Sequence, residues 1–284
     1  MMKKMGFLGP QGTHSEAAAL YLRGLLAEDL ELIAYPEIYS VMQAVAEGEV
    51  DSCLVPVENS LEGSINVTLD VLAHSDTLEV AYELVWGVHN QLMARDAGVP
   101  IERIYSHAQP LSQCRTYLKQ HYPAAQLIPV ASTAKAARLV AESQAVGEAA
   151  ICTKRAGEIY GLTTVAAEIQ DNMANCTRFF RVCRRQARDA AARDVSKVLV
   201  ICQIDGSRAG SLCEVLQEFA SRGVNMTRIE SRPARTTLGA YIFFFELEPA
   251  SGMEQLQASV EAVRKKSFWL KDIGEFPVVA ADNA

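Results

Sequence analysis

The sequence predicts an α/β protein built as two differently organised halves, and three observations carry that expectation. Short apolar runs of strand character alternate with helix-period segments through residues 1–183. A charged, Ala-rich stretch from Arg184 to Lys197 (RRQARDAAARDVSK) then breaks the pattern, and residues 184–196 are taken as a linker. Beyond it, residues 197–284 run strand, helix, strand, strand, helix, strand. A chain of 284 residues holds about two domains, each large enough to bury its own core.

In the first half the expected strands are Met5–Leu8, Leu32–Tyr35, Ser52–Val57, Leu78–Val88, Arg103–Ser106, Gln126–Val130, Ala149–Cys152, Thr164–Ile169 and Arg178–Val182. Helices are expected at Ser15–Leu26, Ser40–Glu47, Ser64–His74, Pro110–His121, Thr133–Glu142 and Lys154–Tyr160. These are too many strands for one doubly wound sheet of this length. Two small α/β lobes with a cleft between them are expected instead.

In the second half the elements are Lys197–Ile204, Ser211–Arg222, Asn225–Arg232, Ala240–Glu248, Met253–Lys266 and Ile273–Val279. Gly223 stands one residue past the first of these helices, where a left-handed cap is expected. The βαββαβ order is that of a ferredoxin-like sandwich.

Composition narrows the function classes. Hydrophobic residues make up 49% and charged residues 21%, as in ordinary soluble proteins. A formal charge of -7 argues against a nucleic-acid partner. No run approaches the roughly 18 to 20 apolar residues of a membrane span, and the opening Met1-Met2-Lys3-Lys4-Met5-Gly6 gives way at once to Gly9-Pro10-Gln11-Gly12, unlike a signal peptide. Seven cysteines form no CxxC pair, and most sit in apolar surroundings (Cys53, Cys152, Cys202). They read as buried thiols of a cytoplasmic protein, not as a disulfide frame or a metal site.

Polar clusters fall at the C-terminal ends of the expected strands, where open α/β sheets place ligands. Thr13 and Glu16 have capping-box spacing after Gly9-Pro10-Gln11-Gly12, so a glycine-rich loop meets a helix N-terminus; it reads as an anion site or as an ordinary turn. Glu58, Asn59 and Ser60 end the third strand, and Ser64 caps the next helix. Ser106 precedes a helix holding Gln113, Ser132 is an N-cap before Thr133, and Thr153 begins another helix. Several helix N-termini aimed at one cleft would suit a small substrate with more than one carboxylate. Asn175-Cys176-Thr177-Arg178-Phe179 sets an amide, a hydroxyl and a guanidinium side by side. The hydroxyl could donate a proton to a leaving group while the cation holds a carboxylate. The same segment also reads as a turn into a strand with Arg178 on the surface.

The motifs GPQGTHSEAA (9–18), VPVENSLEGS (55–64), SHAQPLSQC (106–114), STAKAA (132–137) and NCTRF (175–179) stand in the order found in prephenate dehydratases, which the chain resembles over nearly its whole length. GSLCEVLQEF (210–219) and IESRP (229–233) resemble the phenylalanine-responsive ACT domain of those enzymes. With no chorismate mutase helices before Met5, the resemblance is to the monofunctional form. It implies a catalytic domain (1–183) of the type II periplasmic-binding-protein kind, with its active site between two lobes, and an ACT domain (197–284). It implies conversion of prephenate to phenylpyruvate with loss of water and carbon dioxide, without metal or organic cofactor. Thr177 would assist the leaving hydroxyl; Arg178, Glu58, Asn59, Ser106 and Gln113 would share the catalytic site. Thr13, Ser60, Ser132, Thr133, Asn175 and Phe179 would bind substrate. Ala108, His14 and Ser211 depart from the usual pattern, which has proline, an aromatic residue and alanine there.

The resemblance also implies L-phenylalanine as allosteric effector, bound where ACT domains meet. Its expected contacts are Gly210, Ser211, Leu212, Asn225, Met226, Glu230, Ser231, Arg232 and Pro233. It further implies a homodimer or homotetramer through the ACT domains. The rival readings are arogenate dehydratase and a non-catalytic amino-acid sensor that keeps both folds.

Overall fold

The computed structural model describes residues 2–185, 195–234 and 240–281; most of the expected linker lies outside them. The first lobe opens with β1 (Lys3–Leu8), α1 (His14–Leu26), β2 (Leu30–Tyr35), α2 (Ile38–Glu47), β3 (Ser52–Asn59), β4 (Gly63–Ser64), α3 (Asn66–His74) and β5 (Leu78–Gly87). The chain then crosses into a second lobe of β6 (Gln91–Ala94), β7 (Arg103–Ser106), α4 (Ala108–Gln113), α5 (Arg115–His121), β8 (Gln126–Pro129), α6 (Thr133–Glu142), β9 (Glu148–Cys152), α7 (Lys154–Tyr160) and β10 (Thr163–Ala166). It returns through β11 (Cys176–Arg184), which lies between β5 and β3 in the first sheet. The last part holds β12 (Lys197–Gln203), α8 (Ser211–Ala220), β13 (Asn225–Pro233), β14 (Tyr241–Glu248), α9 (Met253–Arg264), β15 (Trp269–Phe276) and β16 (Val278–Ala281).

Two crossings therefore join the lobes, one after β5 and one before β11. Of the residues expected to carry chemistry, Glu58 and Asn59 end β3, Thr177 and Arg178 begin β11 just after the second crossing, Asn175 lies on that crossing, and Thr13 and Ser132 stand at helix starts. Gly12 holds φ +84, and a Cβ there would sit 3.0 Å from the Ala156 Cβ. The glycine loop of the first lobe thus lies directly against α7 of the second. Thr153 Oγ1 reinforces the approach by donating to the Gly12 carbonyl at 2.7 Å.

The expected elements form, with four differences. Ser64, expected to cap a helix over Ser64–His74, lies instead in β4, and the helix begins at Asn66 with Ile65 as its N-cap. The helix expected over Pro110–His121 is two helices that meet at Cys114. β6 follows the first crossing and was not expected, because Asn90 and Gln91 interrupt its apolar run. The strand expected over Ile273–Val279 is broken at Pro277, which has no N–H to continue a ladder. The Pro277 carbonyl accepts from Glu83 N at 3.0 Å, and β16 then pairs in parallel with β5. Residues 278–281, placed by sequence in the ferredoxin-like half, are an edge strand of the first lobe.

The last sheet runs β13-β14-β12-β15, with β12 antiparallel to both β14 and β15. One face packs on α8 and α9 through Val200, Phe245, Val215, Phe219 and Val260. The other face is not left to water. Leu199, Ile201, Ile242, Phe244, Ile273 and Phe276 enter the same core as Val41, Val45, Phe180 and Val182 of the first lobe. The hydrophobic effect thus joins the two halves through one continuous apolar layer.

Candidate active site

Thr177 and Arg178 are neighbours on β11, so their side chains point to opposite faces of the first sheet. Thr177 lies across from Asn59 on β3 and Trp86 on β5. The Asn59 amide donates to Thr177 Oγ1 at 3.1 Å, to Asn175 Oδ1 at 3.0 Å and to the Cys176 carbonyl at 3.2 Å. Asn59 Oδ1 accepts from Leu61 N at 3.0 Å and Glu62 N at 3.2 Å, which fixes its orientation. Thr177 Oγ1 therefore receives a hydrogen bond while its own proton stays available for donation. Ser60 ties the same turn together, donating from N to the Cys176 carbonyl at 2.9 Å and accepting from Cys176 N at 3.0 Å.

Several polar atoms are enclosed yet have no hydrogen-bond partner of normal geometry among the described residues: His14 Nε2, Trp86 Nε1, both amide atoms of Asn90, Gln113 Nε2 and Asn175 Nδ2. They come from the start of α1, the end of β5, the two crossings and the end of α4, hence from both lobes. Buried polar groups are ordinarily satisfied, so a cluster of open ones marks a place built for a ligand. Burial, helped by the neighbouring His89, pushes the His14 imidazole down to about 4, so it is neutral at neutral pH. Beside this cluster lies a cleft of about 510 Å³ lined by His14, Trp86, His89, Thr153, Lys154 and Glu168, among others. His89 Nδ1 bonds Glu168, which also accepts from Gln91 and Gln170 at 2.9 and 2.8 Å.

Arg178 is not where a substrate carboxylate could use it. Its Nε and Nη2 donate to Glu83 at 2.7 and 3.0 Å, its Nη1 to Glu58 at 2.5 Å, and its Nη2 also to Glu246 at 2.5 Å. Glu83 and Glu246 are 1% and 2% exposed. Lys197 adds contacts to both, at 3.1 and 3.4 Å. Arg228 reaches Glu246 at 3.3 Å and Glu58 at 3.8 Å. Burial disfavours the Arg178 charge, but the Glu83 bonds and the Glu246 charge outweigh it and raise the guanidinium above its ordinary value. Burial likewise opposes the Glu246 charge, and Arg178, Lys197 and Arg228 overcome it and hold that carboxyl below the usual range. This cluster joins β3, β5 and β11 of the first lobe to β12, β13 and β14.

The other expected site residues divide clearly. Gln113 and Asn175 face the open cluster, with Asn59 and Thr177 beside it. Glu58, like Arg178, belongs to the ion cluster on the far face. Phe179 is buried in the apolar core with Leu84 and Met5 instead of lining the cleft. Ser106 Oγ is buried and donates to the Ile151 carbonyl at 2.7 Å, so it fastens β7 to β9. Thr13 and Ser132 cap α1 and α6, accepting from Glu16 N at 3.4 Å and Lys135 N at 3.0 Å, and Thr133 is buried in the first turn of α6.

The expected effector residues also separate. Gly210, at φ +85, and Ser211, Leu212, Asn225 and Met226 lie where α8 and β13 begin. Glu230 and Arg232 turn toward the first lobe, where Ser64 Oγ donates to Glu230 at 2.7 Å and Arg232 pairs with Asp70 at 3.2 Å. Ser231 and Pro233 are exposed between and beyond them. Sequence reasoning missed Asn90, Glu83, Lys197, Arg228 and Glu246. For Asn90 the signal was present: an uncharged polar pair, Asn90-Gln91, inside an apolar run.

The prephenate dehydratase family model matches residues 5–187, and the ACT domain model matches residues 199–265. The chain is 37% identical over 275 residues to a bifunctional chorismate mutase/prephenate dehydratase of Neisseria gonorrhoeae, covering 96% of this chain and 74% of that one. It is 32% identical over 278 residues to a prephenate dehydratase of Methanocaldococcus jannaschii, covering 98% and 99%. Among solved structures, a prephenate dehydratase of Arthrobacter aurescens in complex with L-Phe superposes with a TM-score of 0.86 at 34% identity, covering 96% of this chain and 90% of that one. Matched in order through both halves, the chain belongs to the prephenate dehydratase family and carries an ACT domain.

Proposed function

We propose that this protein converts prephenate to phenylpyruvate, water and carbon dioxide, under feedback control by phenylalanine. The observation that carries the reading is the Thr177 hydroxyl, held by Asn59 at 3.1 Å beside a set of open, uncharged hydrogen-bond donors. Prephenate is a dianion whose ring hydroxyl leaves only as it takes up a proton. Thr177 donates toward that oxygen; the C–O bond breaks and water departs. The bond to the ring carboxylate then breaks, its electron pair completes the aromatic ring, and carbon dioxide leaves. The reaction takes up one proton, which the hydroxyl of Thr177 relays from solvent. Gln113 and Asn175 offer neutral N–H groups to the substrate's oxygens, and the closed approach of Gly12 to α7 helps exclude water.

Arg178 and Glu58 serve as positioning residues, locking the strands that carry Thr177 and Asn59. Their partners on β12, β13 and β14 give an effector a physical route to the catalytic strand. The ACT-like sheet presents β13 at one edge, suited to pairing between copies, while β15 at the other packs against β5 of the first lobe. Phenylalanine would bind near Gly210, Leu212, Asn225 and Met226 in such a dimer or tetramer. Seven free cysteines fit a reducing cytoplasm. No helix among the described residues is long and apolar enough to cross a membrane.

The purified protein should form phenylpyruvate from prephenate, and phenylalanine should inhibit it. Parallel assays with arogenate fix the substrate. No product from prephenate would refute the reading.

A further inference from the structure

We propose that Trp86 is a substrate-binding residue whose indole forms the wall against which the ring of prephenate lies beside Thr177. The inference rests on the reading that prephenate is the substrate. Trp86 stands directly across from Thr177 in the antiparallel ladder between β5 and β11. Residues so paired carry their side chains on one face of the sheet, with Cβ atoms about 4.5–5.5 Å apart. Thr177 itself does not line the 510 Å³ cleft, but Trp86 does, together with His14 and Ala17 from the start of α1. Trp86 is therefore the side chain that joins the cleft to the Thr177 hydroxyl.

The indole is firmly held. Its backbone pairs with Thr177 on one side and with Ala281 of β16 on the other. The Tyr21 ring of α1 meets it edge-on, with ring centroids 5.6 Å apart. Trp86 also packs against the apolar core that contains Leu84 and Phe179. A side chain that only sealed this core would need no N–H, yet Trp86 Nε1 is enclosed and finds no partner among the described residues. An unpaired buried donor costs stability that an apolar residue of similar bulk would keep. Packing explains how the indole is fixed, but not why the residue is tryptophan.

The rest of the lining gives the ligand's character. From the second lobe, α7 brings Lys154 and Arg155, its first two residues. Arg155 lies 3.9 Å from Glu158, while Lys154 makes no ion pair among the described residues. The Glu168 carboxylate is already engaged by His89, Gln91 and Gln170. An aromatic wall with a cation nearby suits a flat apolar ring that carries carboxylates. Prephenate has this form: its hydroxyl stands at one end of the diene ring, and both carboxylates are attached at the other. With the hydroxyl at Thr177, the ring spans the adjacent Trp86 and the carboxylates reach into the cleft.

The test uses the indole as its own probe. Trp86 and Trp269 are the chain's two tryptophans. Trp269 lies in the ACT-like half, where its Nε1 donates to Gln203 Oε1 at 2.8 Å. The Trp269→Phe change therefore leaves Trp86 as the sole indole fluorophore. In a Thr177→Ala, Trp269→Phe protein, where turnover is slowed, prephenate should change the Trp86 emission saturably, with the midpoint that calorimetry gives for binding. With Thr177 intact, Trp86→Leu should raise the prephenate KM about tenfold while kcat changes less than about threefold, and Trp86→Phe should recover most of the loss. Constant emission while calorimetry shows binding, or a native KM in folded Trp86→Leu, overturns the proposal. If the native protein does not turn over prephenate at all, it is the underlying substrate assignment that fails.

Discussion

The two faces of β11 solve opposite problems with adjacent residues. On the Thr177 face, neutral groups from both lobes leave hydrogen-bonding capacity open. On the Arg178 face, strong charges are paired: one guanidinium touches three carboxylates, two of them almost fully buried. Open capacity suits a site that must exchange its partners with a substrate. Saturated charge suits a joint that must hold one geometry. A single strand carries both because its side chains alternate, so a displacement of the joint is felt at the site one residue away.

The largest test of this contrast is Thr177→Ala. Turnover of prephenate should fall by about 10²–10⁴-fold, with unfolding curves and phenylalanine binding close to native; Thr177→Ser should recover part of the rate. Near-normal turnover in the alanine variant would remove Thr177 from the chemistry. Arg178→Ala should act in the opposite way, through stability. It leaves buried Glu83 to Lys197 alone and Glu246 to Lys197 and Arg228, and denaturant unfolding should show a loss of about 3 kcal/mol.

A smaller effect is expected in pH dependence. The His14 pKa, about 4 when folded, lies below the unfolded value of about 6.5. Below about pH 6.5 the unfolded chain binds a proton that the folded chain refuses, so stability present above that pH falls until about pH 4. His14→Phe should flatten that part of the stability–pH curve by on the order of 3 kcal/mol. An unchanged slope would show that the imidazole is not held neutral by burial. The smallest change is expected from Asp70→Asn, which weakens the clip between α3 and Arg232. Turnover should persist, stability should drop by about 1 kcal/mol or less, and inhibition by phenylalanine should weaken a few-fold if this joint carries the signal.

Much of the fold was legible because its signals are local. Thr13, Ser132 and Thr153 announce helix starts, and Gly48, Gly161 and Gly223 hold positive φ at or near helix ends. The polar clusters pointed to Asn59, Gln113, Asn175 and Thr177, and the structure bonds Asn59 to Asn175 and Thr177, although none of the four lines the 510 Å³ cleft. Pairing partners were not legible. Nothing local says that β16 leaves the ferredoxin-like sheet for β5, or that Ser106 spends its hydroxyl on the Ile151 carbonyl.

Arg178 shows the limit most plainly. In sequence it is a cation beside a hydroxyl, and alternation along a strand already implies that the two face apart. Which face meets substrate depends on what packs on each side. Glu83, Glu246 and Lys197 stand 95, 68 and 19 positions away along the chain. The elements, their order and the family's motifs could be read from the chain alone, because propensities, caps and spacing act over a few residues. Which polar groups are paired and which stay open emerged only on folding, because pairing depends on burial and on neighbours brought together from distant parts of the chain.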